Sequence, residues 1–100
     1  MEEIVLPDVL TFEWDKGNST KSWIKHRVSI KEQEQAFFDK KKRAFTDSKH
    51  SDAEKRFLLF AKTKKGRKLI IAFTKRGDKI RCISARPMNR REVLMYEETA

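Results

Sequence analysis

"LIIAFTKRGDKIRCISAR", residues 69–86, decides how the rest of this 100-residue chain is read. Glycine beside charged residues, between two runs rich in β-formers, predicts a tight antiparallel hairpin turning at Gly77–Asp78. A two-residue turn sets Arg76 opposite Lys79, Thr74 opposite Arg81 and Phe73 opposite Cys82. Because side chains alternate, Leu69, Ile71, Phe73, Ile80 and Cys82 then share one face, which is core. Arg76, Lys79, Thr74 and Arg81 share the other face near the turn, with Ile70, Ala72 and Ile83 farther along it. The arginines are therefore expected behind the core, at one end of the opposite face.

Working backwards, "EKRFLLFAKTK" at 54–64 reads as the preceding strand, joined through a glycine-containing loop. An odd loop around 64–66 pairs Phe57 with Phe73 and puts Arg56 opposite Thr74; an even loop would turn Arg56 toward the apolar face at a large desolvation cost. The odd register aligns Arg56, Thr74 and Arg81 across three strands, with no acidic partner expected beside them. Like charges so placed are unfavourable unless an anion sits among them. "LIIAF", apolar on both faces, is read as a central strand covered by helices on at least one side.

The remaining elements follow from local signals. "LTFEWD" at 10–15 alternates as a short strand. Asn18 and Ser19 are candidate caps for a short helix to about His26, with Trp23 and Ile24 turned inward. "SIKE" at 29–32 is a capping box opening a second helix to about Phe38, in which Ile30 and Phe37 share the buried side. Residues 39–53 read as a loop with a short strand near Ala44–Phe45. After Pro87 a third helix is expected, capped by Asn89, with Glu92 at its third position and Met88 stapled onto Val93. The fold class is α+β: an antiparallel meander with two N-terminal helices and one C-terminal helix, forming a single domain over residues 1–100.

Charge is unevenly distributed. Residues 62–91 carry a net +11, more than the +9 of the whole chain, while residues 1–15 hold five acids and no base. A basic surface this concentrated suits a polyanion. No recognition helix for a DNA groove is evident, so RNA is the better match. The longest apolar runs are too short for a membrane span, and the start lacks the pattern of a signal peptide, so a cytoplasmic location is expected. The single cysteine, Cys82, excludes an internal disulfide and reads as a small core residue.

Arginine forks suit phosphate. Carboxylates and histidines do not cluster as metal-dependent cleavage requires, so neither metal nor cofactor is expected. Metal-free RNA cleavage needs a base, an acid and cations around the phosphate. His26, at a helix end, is either a proton-transfer group or a C-cap; Glu54 is either a base or a solvated strand-end acid. His50 reads as a loop residue, and Tyr96 as core or as a group folded over the sheet.

"FEWD" at 12–15, "KHRVS" at 25–29, "EKRF" at 54–57, "GR" at 66–67, "TKRGDKIRCISAR" at 74–86 and "RREVLMYEE" at 90–98 closely resemble the BrnT toxin family. Spacings are kept across about residues 11–98. The resemblance implies a RelE-like fold and a toxin of a type II toxin–antitoxin system that cuts RNA and arrests translation. It also implies neutralisation by a BrnA-type antitoxin whose ribbon-helix-helix region binds operator DNA, so that DNA is met only through the antitoxin; no membrane is involved. On this reading His26, Glu54, Arg56, Arg76 and Arg81 are the catalytic candidates, and Lys25, Lys79, Arg86 and Arg90 contact RNA. Three positions depart from the family pattern: Arg27 stands where glycine is usual, Ser22 where asparagine is usual, and "EKRF" replaces "EERF". The alternative class is a non-catalytic basic RNA-binding module, and a third reading makes the basic face an antitoxin dock.

Overall fold

In the computed structural model, which describes residues 2–50 and 54–98, the hairpin forms as its turn chemistry dictates. Gly77 takes a φ of +62°, open to glycine at no steric cost, and joins β5 (Lys68–Arg76) to β6 (Lys79–Pro87). Arg76 pairs with Lys79, Thr74 with Arg81 and Phe73 with Cys82, the expected register. β4 (Arg56–Lys62) pairs antiparallel with β5, Arg56 against Thr74 and Phe57 against Phe73. The odd register thus prevails.

One irregularity changes the far end of the hairpin. Ala72 pairs with Ser84 and Phe73 with Cys82, so Ile83 is an extra residue in a β-bulge. Beyond it the faces exchange relative to a straight alternation. Ala85 joins the main core instead of the opposite face, and Arg86 falls into the row of Ile70.

The full sheet has six strands in the order β1-β3-β4-β5-β6-β2, with β1 (Glu3–Ile4), β2 (Thr11–Phe12) and β3 (Arg43–Thr46) added to the meander. It is mixed rather than wholly antiparallel, because β2 runs parallel to β6, Phe12 beside Ile80. Only two residues of the expected strand over 10–15 are paired, since the chain leaves β6 after the bond from Glu13 N–H to the Ile80 carbonyl.

Three helices complete the α+β architecture: α1 (Lys21–His26), α2 (Ile30–Ala36) and α3 (Arg90–Glu98). Ser29 and Glu32 close their capping box at 3.1 and 2.9 Å, and α2 ends two residues before Phe38. Asn89 and Glu92 bond reciprocally at the start of α3, at 2.9 and 2.8 Å. One face of the sheet holds the main core, where Phe37, the residue after α2, meets Phe73 edge-on at 5.1 Å. A second, smaller cluster holds Phe60, Ile70 and Tyr96 and brings α3 against the other face. Tyr96 is core, and its hydroxyl donates to Asp39; burial and that carboxylate push its pKa up. Burial likewise raises the Cys82 thiol, which is 1% exposed and therefore protonated and inert.

The first helix docks in an unexpected way. Among the described residues, no strand pairs with the outer side of β6 beyond Ile80, so its backbone groups need other partners. Asn18, 4% exposed, donates to the Cys82 carbonyl at 2.8 Å and to the Glu13 carbonyl at 3.0 Å, and accepts from the Asp15 N–H at 2.8 Å. The Ser22 hydroxyl accepts from the Ala85 N–H at 2.7 Å. A six-residue helix lying on a backbone edge turns polar side chains inward, so Ser22 is buried, whereas Trp23 and Ile24 are 47% and 71% exposed rather than internal. The N-cap is Thr20, with no side-chain bond, because Asn18 is engaged with β6. Asn18→Ala would orphan these groups and should cost about 2 kcal/mol, read as a lowered urea midpoint at unchanged m-value.

Candidate nucleic-acid interface

The second face of the sheet is only half covered. Its small core lies toward Phe60 and Ile70, while the row Arg56–Thr74–Arg81 crosses the end nearer the Gly77 turn. Arg76, Lys79 and Glu13 line a shallow hollow with Thr74 and Arg81. Four of the basic residues singled out in the sequence therefore sit at one end of the sheet.

These arginines are not without acids, which corrects the sequence expectation. Arg81 forms a bidentate pair with Asp15 at 2.7 and 3.0 Å and has Glu13 at 3.8 Å. Arg76 Nε donates to Glu54 at 2.9 Å. The partners come from the acidic N-terminal stretch and from just before β4, folded back onto a strand distant in sequence. Hydrogen bonding to Arg81, reinforced by the Gly17 N–H, holds the Asp15 carboxyl below its usual range; the Asp15 bond raises Arg81 in turn. Both side chains face water, where such pairs are screened and worth little. The carboxylates occupy positions that phosphate oxygens could take, with similar fork geometry.

Sequence reasoning missed the loop that presents Asp15. The Gly17 N–H donates to Asp15 Oδ1 at 2.8 Å, and a Cβ on Gly17 would lie 3.0 Å from Arg81 Nη2. A side chain there would press on the guanidinium and require it to shift. The only available signal was the spacing of Asp15, Gly17 and Asn18 in a turn-forming stretch.

The other candidates gather elsewhere. Lys25, His26 and Arg86 line a separate hollow of about 200 Å³ with Lys21, Ser22 and Ser84. His26 is thus not grouped with Glu54 and Arg76. Arg86 is held bidentately by Glu92 at 2.7 Å through both nitrogens, a further acid partner the sequence did not announce. Arg90 is exposed at the start of α3 and lines neither hollow. The backbone of His50 closes a 3₁₀ turn, Ser48–His50, and residues 51–53 of the expected loop lie outside the described residues.

The turn carrying His26 is held despite its unusual residue. Arg27 adopts φ +56° and ψ +38°, the left-handed conformation that favours glycine, and its guanidinium lies 5.3 Å from the Trp23 ring. Arg67 clamps the same turn, donating to the Arg27 carbonyl at 2.7 Å, the His26 carbonyl at 2.9 Å and the Glu32 carboxylate at 3.2 Å. Burial pushes the Glu32 carboxyl up, but its bonds to the Ser29 N–H and Arg67 outweigh that and leave it lowered. Glu92 is lowered chiefly by Arg86. A carboxyl depressed in the folded state stabilises above its unfolded pKa of about 4.3 and loses that contribution as pH falls through the folded value. The melting temperature should therefore hold between pH 7 and 5 and fall progressively below about pH 4.5, with Glu92→Gln flattening part of the decline.

Residues 14–92 match the profile of the family described as ribonuclease toxin, BrnT, of type II toxin–antitoxin system. The chain belongs to the BrnT family. It is thereby a member of a group of ribonuclease toxins that work against an antitoxin partner. No curated protein matches the chain. The matched span of this BrnT chain contains Asp15, Gly17, the α1–β6 hollow, the Arg56–Thr74–Arg81 row and every residue lining the other hollow except Glu13. A larger hollow, about 610 Å³, lies at the far end of β4 between α2 and Lys62–Lys64, away from the arginine row. Among the described residues no helix is long and apolar enough to cross a membrane.

Proposed function

We propose that this BrnT chain is a metal-independent endoribonuclease with a RelE-like architecture, and that the scissile phosphate binds over the Arg56–Thr74–Arg81 row. The observation that carries this is the row itself: cationic side chains from β4 and β6 flank a small hydroxyl residue on the half of the sheet left open by α3. An incoming phosphodiester exchanges with Asp15 on the Arg81 fork, an anion for an anion, at an exposed site where the existing pair contributes little.

Glu54 is the base this geometry favours, because it meets Arg76 beside the row while His26 opens into the other hollow. Glu54 takes the proton of a ribose 2′-hydroxyl, whose oxygen attacks the adjacent phosphorus. The bond to the 5′-oxygen breaks, and that oxygen takes a proton from water or from Lys79. The products are a 2′,3′-cyclic phosphate and a 5′-hydroxyl end. Arg56, Arg76 and Arg81 offset the charge that builds on the phosphoryl oxygens. The biological consequence is arrest of translation, relieved by a BrnA-type antitoxin whose ribbon-helix-helix region binds operator DNA.

Purified chain free of antitoxin, incubated with RNA in excess chelator, should yield fragments with cyclic phosphate ends. Intact RNA retained on the protein and released by salt would instead identify a non-catalytic binding module.

A further inference from the structure

We propose that the hollow between α1 and β6 is a second phosphate-binding pocket, so that the substrate is a single RNA strand running along the outer edge of β6. This rests on the proposed function for the first pocket and adds a subsite to it. Lys21 and Lys25 from α1 and Arg86 from β6 surround a space of about 200 Å³, with the Ser84 side chain at its wall. α1 carries no acid, and neither lysine is ion-paired among the described residues. Arg86 is the exception in being matched, and its fork is presented by Glu92 in a fixed orientation. The pocket is thus a set of cations arranged around a void, with Ser22 and Ser84 also in its lining. That chemistry takes a phosphate.

Its position gives the substrate class. Arg81 and Arg86 are five positions apart on one strand with a bulge between them, a separation of roughly 15 Å. The path between them follows the edge sealed by Asn18 and Ser22, to which no further strand pairs among the described residues. Two anion sites on one continuous edge at that separation fit two non-adjacent phosphates of one extended backbone. A dinucleotide can fill only the first; a strand of several nucleotides fills both.

The experiment compares the dinucleotide UpA with an unstructured twelve-nucleotide RNA, for the wild-type chain and for Lys21→Gln/Lys25→Gln. The ratio of kcat/KM for the long substrate over the short one should fall about tenfold in the double variant, and the salt slope for the long substrate should shrink by up to about 1.4, or 0.7 for each lysine. An unchanged ratio and slope overturn the second pocket. An equal loss on both substrates also overturns it, because the lysines would then act through the fold or the first site. A twelve-nucleotide strand lacking 2′-hydroxyls, followed by fluorescence anisotropy, makes the same comparison without cleavage. If wild-type chain cuts no RNA yet the double variant binds this strand about tenfold more weakly, the catalytic reading fails and the pocket stands.

Discussion

Arg81→Ala is expected to lower RNA cleavage by about 10²–10³-fold, and growth inhibition with it, while leaving the fold intact. Arg81 is held in a fixed orientation, since Asp15 grips both terminal nitrogens and Gly17 leaves room for the guanidinium. Removing it deletes a fork already held at the open face. Arg81→Lys keeps the charge but loses the two parallel bonds, so it should recover only part of the rate. Circular dichroism and melting temperature check that folding is unaffected, because the side chain is solvent-facing and Thr74 and Phe73 still pair across the hairpin. An Arg81→Ala chain that cleaves at the wild-type rate would move the active site elsewhere.

Glu54→Gln should cost about 10²–10⁴ in kcat with a much smaller change in KM. The amide retains the size of the carboxylate and an oxygen that can accept from Arg76, but it cannot take a proton. Single-turnover cleavage under saturating RNA isolates that step. His26→Gln is the matched comparison: with His26 in the α1–β6 hollow, its loss should weaken binding of long RNA more than it slows the chemical step. If the two variants exchange these phenotypes, proton transfer belongs to His26.

The parts of the molecule legible in the sequence are those governed by neighbours along the chain. Gly77–Asp78 imposes a two-residue turn, and the cost of burying Arg56 against the core selects the odd register, so the arginine row follows from local rules. Ser29 with Glu32 and Asn89 with Glu92 mark their helix starts for the same reason. The bulge at Ile83 leaves no such mark, since an apolar residue in an apolar run looks the same paired or unpaired. The docking of α1 was misread because hydrophobicity ranks Trp23 and Ile24 as inward, whereas a bare strand edge selects hydrogen-bonding groups, which Asn18 and Ser22 supply. β1 was not anticipated: two residues in an acidic stretch carry no period.

The site divides along the same line. Cationic positions on β4, β5 and β6 could be placed from register, but their carboxylate partners could not, because Asp15 reaches Arg81 across 66 positions of chain. The separation of His26, Lys25 and Arg86 from Glu54 and Arg76 depends equally on where α1 lies against β6.

The arrangement around Asn18 joins colloidal behaviour to activity. An unprotected β-edge is a template on which a second molecule can extend the sheet, and here the cover over Cys82–Ala85 is continuous with the loop that delivers Asp15 to Arg81. Engineering that loosens this segment to free the guanidinium for RNA would at the same time expose a surface prone to self-association. A faster toxin obtained by that route should be a stickier one.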